Sequence, residues 1–292
     1  MADTIVRAVT NDNNFRAIAI DATAMMQKAA KFHEATPLGI EILGRALVSS
    51  LLVSNAVLKG EERLATVIDG NGPAGKIVTE ASAEGFVRGY VTNPQVTGDD
   101  VAAAVGDQGF LRVTKEMDEN TEPFTGSVKL ANGTIDDDFT FYMLTSEQIP
   151  SLVMVDVQVQ ADGTVNAAGG FIVSALPDAP QDALEKFYKA VESMPKITKT
   201  LLQHQGPFGI LETVFGKGEL KQLSTVETQL FPAITKREYA AMLATISMDQ
   251  LLEMLEQDHG AEIIDRFTGE KINFDAEELK LIMEEKQTGE LG

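Results

Sequence analysis

A chain of 292 residues is long enough for about two domains. With 44% hydrophobic, 23% charged and 6% aromatic residues it can bury a sizeable core, which excludes a wholly disordered chain or a fibre. The net charge of −20 repels phosphate backbones and anionic lipid, so neither nucleic acid nor a membrane is an expected partner, and the lack of any cysteine excludes disulfides, thiol catalysis, Fe–S clusters and cysteine zinc sites.

Residues 1–7 have no basic stretch leading into an apolar run and are not read as a secretory signal. The apolar segment 46–58 is interrupted by Ser49, Ser50, Ser54 and Asn55, which leaves it too short and too polar to span a bilayer. A soluble, cytoplasmic protein is expected, and the cysteine count is compatible with a reducing compartment. In chain order, two helices come first. Asp21 can cap a helix with Met25, Met26, Ala29 and Phe32 on one face. Thr36-Pro37 starts a longer one, since proline suits a first helical position, and it runs through Leu43, Leu47, Leu51 and Leu58 to a Lys59-Gly60 stop. Apolar residues cover most of its circumference, so it is expected to be buried. Short β-type runs follow at 64–69, 76–81, 86–91, 110–115 and 124–130. A helical pattern at Ile135, Phe139, Tyr142 and Met143 leads to two further strands, 152–160 and 165–172, around the hairpin signal Asp162-Gly163. Helices and strands without βαβ alternation predict an α+β fold.

Leu176-Pro177-Asp178-Ala179-Pro180 is the strongest punctuation in the chain and marks a domain boundary. Beyond it, Leu184, Phe187, Tyr188, Val191 and Met194 recur at helical spacing, Pro195 interrupts, and Ile197, Leu201 and Leu202 continue the pattern to Gly206-Pro207. The expected division is an α+β core domain over 1–178, a helical linker over 179–231 and a small C-terminal domain over 232–292. In the last, Ser247-x-x-Gln250 is a capping-box match opening a helix, a hairpin is expected over 263–267 and 270–274, and Asp275-x-x-Glu278 caps a final helix with Leu279, Ile282 and Met283. This segment carries 14 acidic and 6 basic residues, a net of −8.

Gly70-Asn71-Gly72-Pro73-Ala74-Gly75-Lys76 fits both a dinucleotide-binding glycine pattern and the first seven positions of a P-loop. Both motifs need the turn to open a helix whose N–H groups hold phosphate. Here a β-type run, Ile77-Val78-Thr79, follows, Ile77 supplies no hydroxyl for Mg²⁺, and Pro73 removes one N–H. A tight turn between strands is the expectation. His33, His204 and His259 show no ligand spacing and fall at helix ends, where a structural or solvent-facing role is expected. Asp136-Asp137-Asp138 suits a hard cation by composition, but as the first turn of a helix its carboxylates are explained by unpaired N–H groups. The apolar face of 184–202 has two readings: docked on the first domain, or releasable to expose hydrophobic surface. A segment that did both at different times would be a switch.

A series of short motifs runs along the chain: His33, Leu43-Gly44-Arg45, Leu58-Lys59-Gly60, Gly70-x-Gly72-Pro73-x-Gly75, Gly85-x-Val87-Arg88-Gly89-Tyr90-Val91 and Asn93-Pro94. It continues through Ser146-Glu147-Gln148-x-Pro150, Ala168-Gly169-Gly170, Leu176-Pro177, 251–255 and Phe274-Asp275-x-Glu277-Glu278-Leu279. In the joint order of these motifs the chain resembles the 33 kDa chaperonins, the redox-regulated heat-shock holdases of bacteria. The resemblance implies an α+β core, a helical linker and a small C-terminal zinc domain. It also implies an ATP-independent holdase that binds unfolding proteins through apolar surface and tends to dimerise when active. The chain departs from it at one place. The family's C-x-C and C-x-x-C pairs fall on Pro232 and Ile234, then on Asp265 and Thr268. Proline and isoleucine bind no metal, so zinc-thiolate control is chemically impossible here. The C-terminal domain is expected to fold without metal, with Ile234 packing in place of a ligand, but less stably than the core.

The expected function is a client-binding chaperone, not an enzyme, with no cofactor, holding unfolded proteins and forming a possible homodimer. Leu184, Phe187, Tyr188, Val191, Leu201 and Leu202 are the candidate client-binding residues. Holdase activity would then be constitutive or set by heat or another unfolding stress. The alternatives are a nucleotide-dependent enzyme using the 70–76 loop, or a scaffold relative without holdase activity.

Overall fold

Two strands precede the first helix, which corrects the expectation that the chain opens with helices. In the computed structural model, which describes residues 3–117, 122–232 and 234–288, β1 (Thr4–Thr10) and β2 (Phe15–Asp21) pair antiparallel. From Ala17 to Ile20 every residue of β2 is buried, so the strand offers no apolar–polar alternation to read. α1 (Thr23–Phe32) follows. Asp21 accepts from the N–H and hydroxyl of Thr23 at 3.1 and 2.7 Å, while the next two N–H groups, of Ala24 and Met25, donate to Asp3, a cap the sequence reading missed. Met25, Met26 and Ala29 are buried as their spacing predicts, whereas Phe32 is exposed.

α2 (Pro37–Val57) begins as expected, with Thr36 Oγ1 accepting from Gly39 N at 3.1 Å. The next elements are β3 (Arg63–Asp69), β4 (Ile77–Ser82), β5 (Phe86–Val91), α3 (Val101–Val105), β6 (Phe110–Glu116) and β7 (Phe124–Lys129). α4 (Asp136–Thr145), β8 (Ser151–Val159) and β9 (Val165–Ala175) complete the first part. Then come α5 (Gln181–Ser193), α6 (Ile197–Leu202), α7 (Gly206–Phe215), β10 (Leu220–Glu227) and β11 (Gln229–Leu230). Gly206-Pro207 therefore opens a helix where a stop was expected, because proline lacks an N–H that the first turn leaves unpaired anyway. The helical pattern expected over 179–231 ends at Phe215, and β10 and β11 are strands.

The strands form a five-stranded sheet, β10-β1-β2-β9-β8, and a six-stranded sheet, β11-β5-β4-β3-β6-β7. Every pairing is antiparallel except β11 with β5, so the α+β expectation holds. α2 packs between the two sheets. It is long and apolar enough to cross a bilayer by length and composition, a longer stretch than 46–58, but strands enclose it here. Two of the serines that interrupt its apolar run face β4: Ser50 Oγ lies 2.5 Å from Thr79 Oγ1, and Ser54 Oγ donates to the Ser82 carbonyl at 3.1 Å. β10 and β11 sew the two sheets together. Between them Thr228 donates its N–H to the Asp3 carbonyl and its hydroxyl to the Gly85 carbonyl. Phe231 stacks on Phe86 at 5.6 Å, with the guanidinium groups of Arg63 and Arg88 at 5.1 and 5.4 Å from its ring.

The chain divides into two units, Met1–Phe231 and Pro232–Gly292. The second holds α8 (Lys236–Leu243), α9 (Met248–Glu253) with a π-helical turn Met254–Asp258, the hairpin β12 (Gly260–Ile264) and β13 (Lys271–Asp275), and α10 (Ala276–Thr288). α8 was not expected, although Thr235-x-x-Glu238 is a capping box: Glu238 accepts from Thr235 N at 2.6 Å and Thr235 Oγ1 accepts from Glu238 N at 3.3 Å. The Ser247–Gln250 box and the Asp275 cap are where the sequence places them. β12 ends three residues earlier than expected because Asp265 to Thr268 form the turn. Tyr239, Leu243, Leu251, Phe274, Leu279 and Ile282 make the core of this unit, and Ile234 packs against it.

Candidate functional site

The five-stranded sheet has two apolar faces. One packs on α2, and α5, α6 and α7 cover the other. The covered face is a floor of Ala8, Ala17, Ala19 and Ala167, with Phe15 and Phe171 rising from it. Small side chains let helices approach closely, and the two rings lock them laterally. Phe15 on β2 meets Phe187 of α5 at 5.2 Å and Phe215 of α7 at 5.5 Å, and these two rings stack at 5.7 Å.

The six candidate residues divide on this face. Phe187 and Leu201 are each 6% exposed and form the seat. Leu184 and Val191 are half-buried against the same cluster. Tyr188 and Leu202 are 53% and 49% exposed, at its rim. Beside α5 a groove of about 670 Å³ opens between Phe15, Leu152, Val173, Leu184, Phe187 and Tyr188. In this structure the apolar face of 184–202 is docked. The sheet half of the surface, Phe15, Phe171 and the alanines, escaped the sequence reading because a strand buried on both faces has no period to detect.

The 70–76 loop is the turn of the β3–β4 hairpin, as expected. Its glycines are needed for close approach: a Cβ on Gly70 would fall 2.2 Å from the Gly106 carbonyl oxygen, and one on Gly72 2.4 Å from that of Ala104. The N–H groups of Gly72 and Ala74 donate to the Val105 and Ala104 carbonyls, so they are not free for phosphate. The three adjacent carboxylates diverge. Asp136 pairs with Arg45 at 3.2 Å, Asp137 accepts from the Asn132 amide, and buried Asp138 accepts from the N–H groups of Ala131, Asn132, Gly133 and Ile135. Burial pushes Asp136 up to about 6 despite Arg45, and pushes Asp3 up to about 6 against the two N–H groups it accepts from. His33, His204 and His259 each follow a helical segment.

At the four positions that the resemblance assigns to zinc ligands, the side chains do not fit a metal. Pro232 and Ile234 carry no donor atom. Asp265, buried, is already committed: its carboxylate accepts from Phe267 N and from Thr268 Oγ1, each at 2.8 Å, and its carbonyl accepts from Gly269 N at 2.7 Å. Residues 265–269 form a turn closed by its own hydrogen bonds.

Residues 3–275 match the Hsp33 protein family. The chain is similar to the 33 kDa chaperonin of Limosilactobacillus fermentum, at 39% identity over 98% of this chain and 100% of that protein. It is 38% identical to the 33 kDa chaperonin of Latilactobacillus sakei, again over 98% of this chain and 100% of the relative. The crystal structure of the 33 kDa chaperonin (heat shock protein 33 homolog) from Thermotoga maritima superimposes with a TM-score of 0.87 at 30% identity, covering 99% of this chain and 100% of that one.

Proposed function

Because the chain belongs to the Hsp33 protein family, we propose that it is a chaperone, an ATP-independent holdase that binds unfolded proteins on apolar surface uncovered when α5 to α7 lift. One arrangement carries the reading: a two-faced sheet whose second apolar face is covered, among the described residues of the first unit, by the helices of one crossover segment. On this proposal clients meet Phe15, Phe171 and the alanine floor, together with Leu184, Phe187, Tyr188, Val191, Leu201 and Leu202 on the lifted helices. The moving part of the 179–231 linker is α5 to α7, since β10 and β11 belong to the sheets. The charge of −20 keeps the loaded complex dispersed. A cytoplasmic location and a second copy of the chain as partner in the active state belong to the same proposal. No cysteine is available as a sensor, so heat or another unfolding stress is the trigger.

The test is suppression of aggregation of a thermally unfolding client by the purified full chain, with no nucleotide added. Suppression that sets in as the temperature rises is expected. No suppression at any temperature where the chain stays folded would reduce it to a scaffold. Replacing Phe187 and Leu201 by serine should change client capture, and unchanged capture would remove both from the surface.

A further inference from the structure

Apolar packing is not directional, so something else must fix where α5 to α7 sit and how easily they leave. The crossover segment is fastened at its ends by backbone hydrogen bonds: Leu176 N donates to the Asn14 carbonyl at 2.8 Å, and Asn11 N donates to that of Glu219 at 2.9 Å. Between those ends, among the described residues, one side chain of the sheet holds the helices by hydrogen bonds. Asp156 on β8 accepts from Thr198 N at 3.0 Å and from Thr198 Oγ1 at 2.7 Å. Thr198, 4% exposed, stands in the first turn of α6, where its N–H has no partner within the helix. Directly across the ladder from Asp156 is Gly169 of β9. A Cβ there would fall 2.4 Å from the Ile20 carbonyl oxygen and 2.7 Å from Leu201 Cδ1, so the glycine that the strand pairing requires also leaves a hollow in which Leu201 seats. A charged acceptor and a shaped hole thus locate α6 on adjacent strands. When the helices lift, Asp156 and Thr198 both regain water, so the pair resists release without forbidding it.

We propose that the Asp156–Thr198 pair is a polar pin that sets the threshold for lifting α5 to α7. As a statement about regulation it rests on the client-binding reading above. As a statement about docking it stands on its own. Breaking the pin should leave both sheets intact, because the Asp156 side chain bonds to α6 and, among the described residues, to no neighbouring strand.

The experiment is residue-resolved amide hydrogen exchange on the full chain with Asp156→Ala, Asp156→Asn and Thr198→Val, in parallel with client aggregation over a temperature series. Hydrogen bonds to a charged group are strong enough that Asp156→Ala should speed exchange in α5 and α6 by about tenfold or more. β1, β2 and β9 should exchange as before. Asp156→Asn keeps an acceptor for the Thr198 N–H and should show a smaller rise. Thr198→Val, which loses only the hydroxyl bond, covers the case in which the alanine variant folds poorly. Unchanged exchange in the helices, or a rise shared equally by the strands, overturns the pin. Faster helix exchange with suppression starting at a lower temperature supports both pin and surface. Faster helix exchange with suppression unmoved supports the pin and removes the surface reading.

Discussion

Asp265 shows how one carboxylate can take over the job of a turn. Buried and singly charged, it would be costly unpaired, but each oxygen has a donor 2.8 Å away, and the turn it closes sets the register of the β12–β13 hairpin. Asp265→Ala should lower the stability of the C-terminal unit by about 1–3 kcal/mol, read from a urea midpoint followed by circular dichroism. A chelator should leave the same midpoint unmoved, and stoichiometric zinc in the purified protein would contradict the metal-free turn. Asp3 and Asp136 act in the opposite sense. Both are pushed up to about 6 by burial, above the value of about 4 in an unfolded chain, so between those values the native state binds more protons. Their stabilising contribution is complete below pH of about 4 and is lost as pH rises through about 6. The first unit should therefore melt at a higher temperature near pH 5 than near pH 7.5, and Asp3→Asn and Asp136→Asn should flatten that slope. A melting temperature that falls steadily from pH 7.5 to 5 in the wild type would refute the assignment.

At the scale of elements, the docking of α5 depends on a ring shared between three elements. Phe187→Ala removes its tilted contact with Phe15 and its stacking on Phe215, and large-to-small changes at such sites cost about 3–5 kcal/mol. Much of that should appear as undocking: dye binding to exposed apolar surface should rise at temperatures where the sheets are still folded. The same elements show what the sequence could and could not convey. Five strands of the six-stranded sheet, β3 to β7, were legible because turn residues bound them and apolar residues such as Leu64 and Ile68 alternate with more exposed ones, whereas the two-residue β11 was not. β2 was not, because both its faces are buried. β10 was not, because an edge strand reading Lys221-Gln222-Leu223-Ser224 is identified by its partner β1 and not by its own pattern. α8 was within reach, since Thr235-x-x-Glu238 is the same signal that located α9. Of the candidate surface, the helical half was legible from spacing alone. The sheet half comes from residues such as Phe15 that only tertiary pairing brings beneath α5.

For the whole molecule, the absence of sulfur chemistry at cysteine sets a plain expectation. Client protection should be equal before and after mild peroxide treatment, since the remaining oxidisable residues are methionines such as the buried Met25 and Met26. A strict peroxide requirement, measured as aggregation suppression only after oxidation, would point to methionine sulfoxide and against a heat-set threshold. The connectivity adds a kinetic consequence. The crossover leaves from β9 and returns as β10, both strands of the sheet it covers. If α5 to α7 lift as proposed, they form a flap tethered at both ends that cannot diffuse away, so reclosure is a first-order event whose rate ignores protein concentration. Any captive must outcompete an intramolecular rival present at an effective concentration of order millimolar. The molecule would then discharge its cargo and rearm by itself as soon as the captive buries its own grease, with no fuel and no accessory factor.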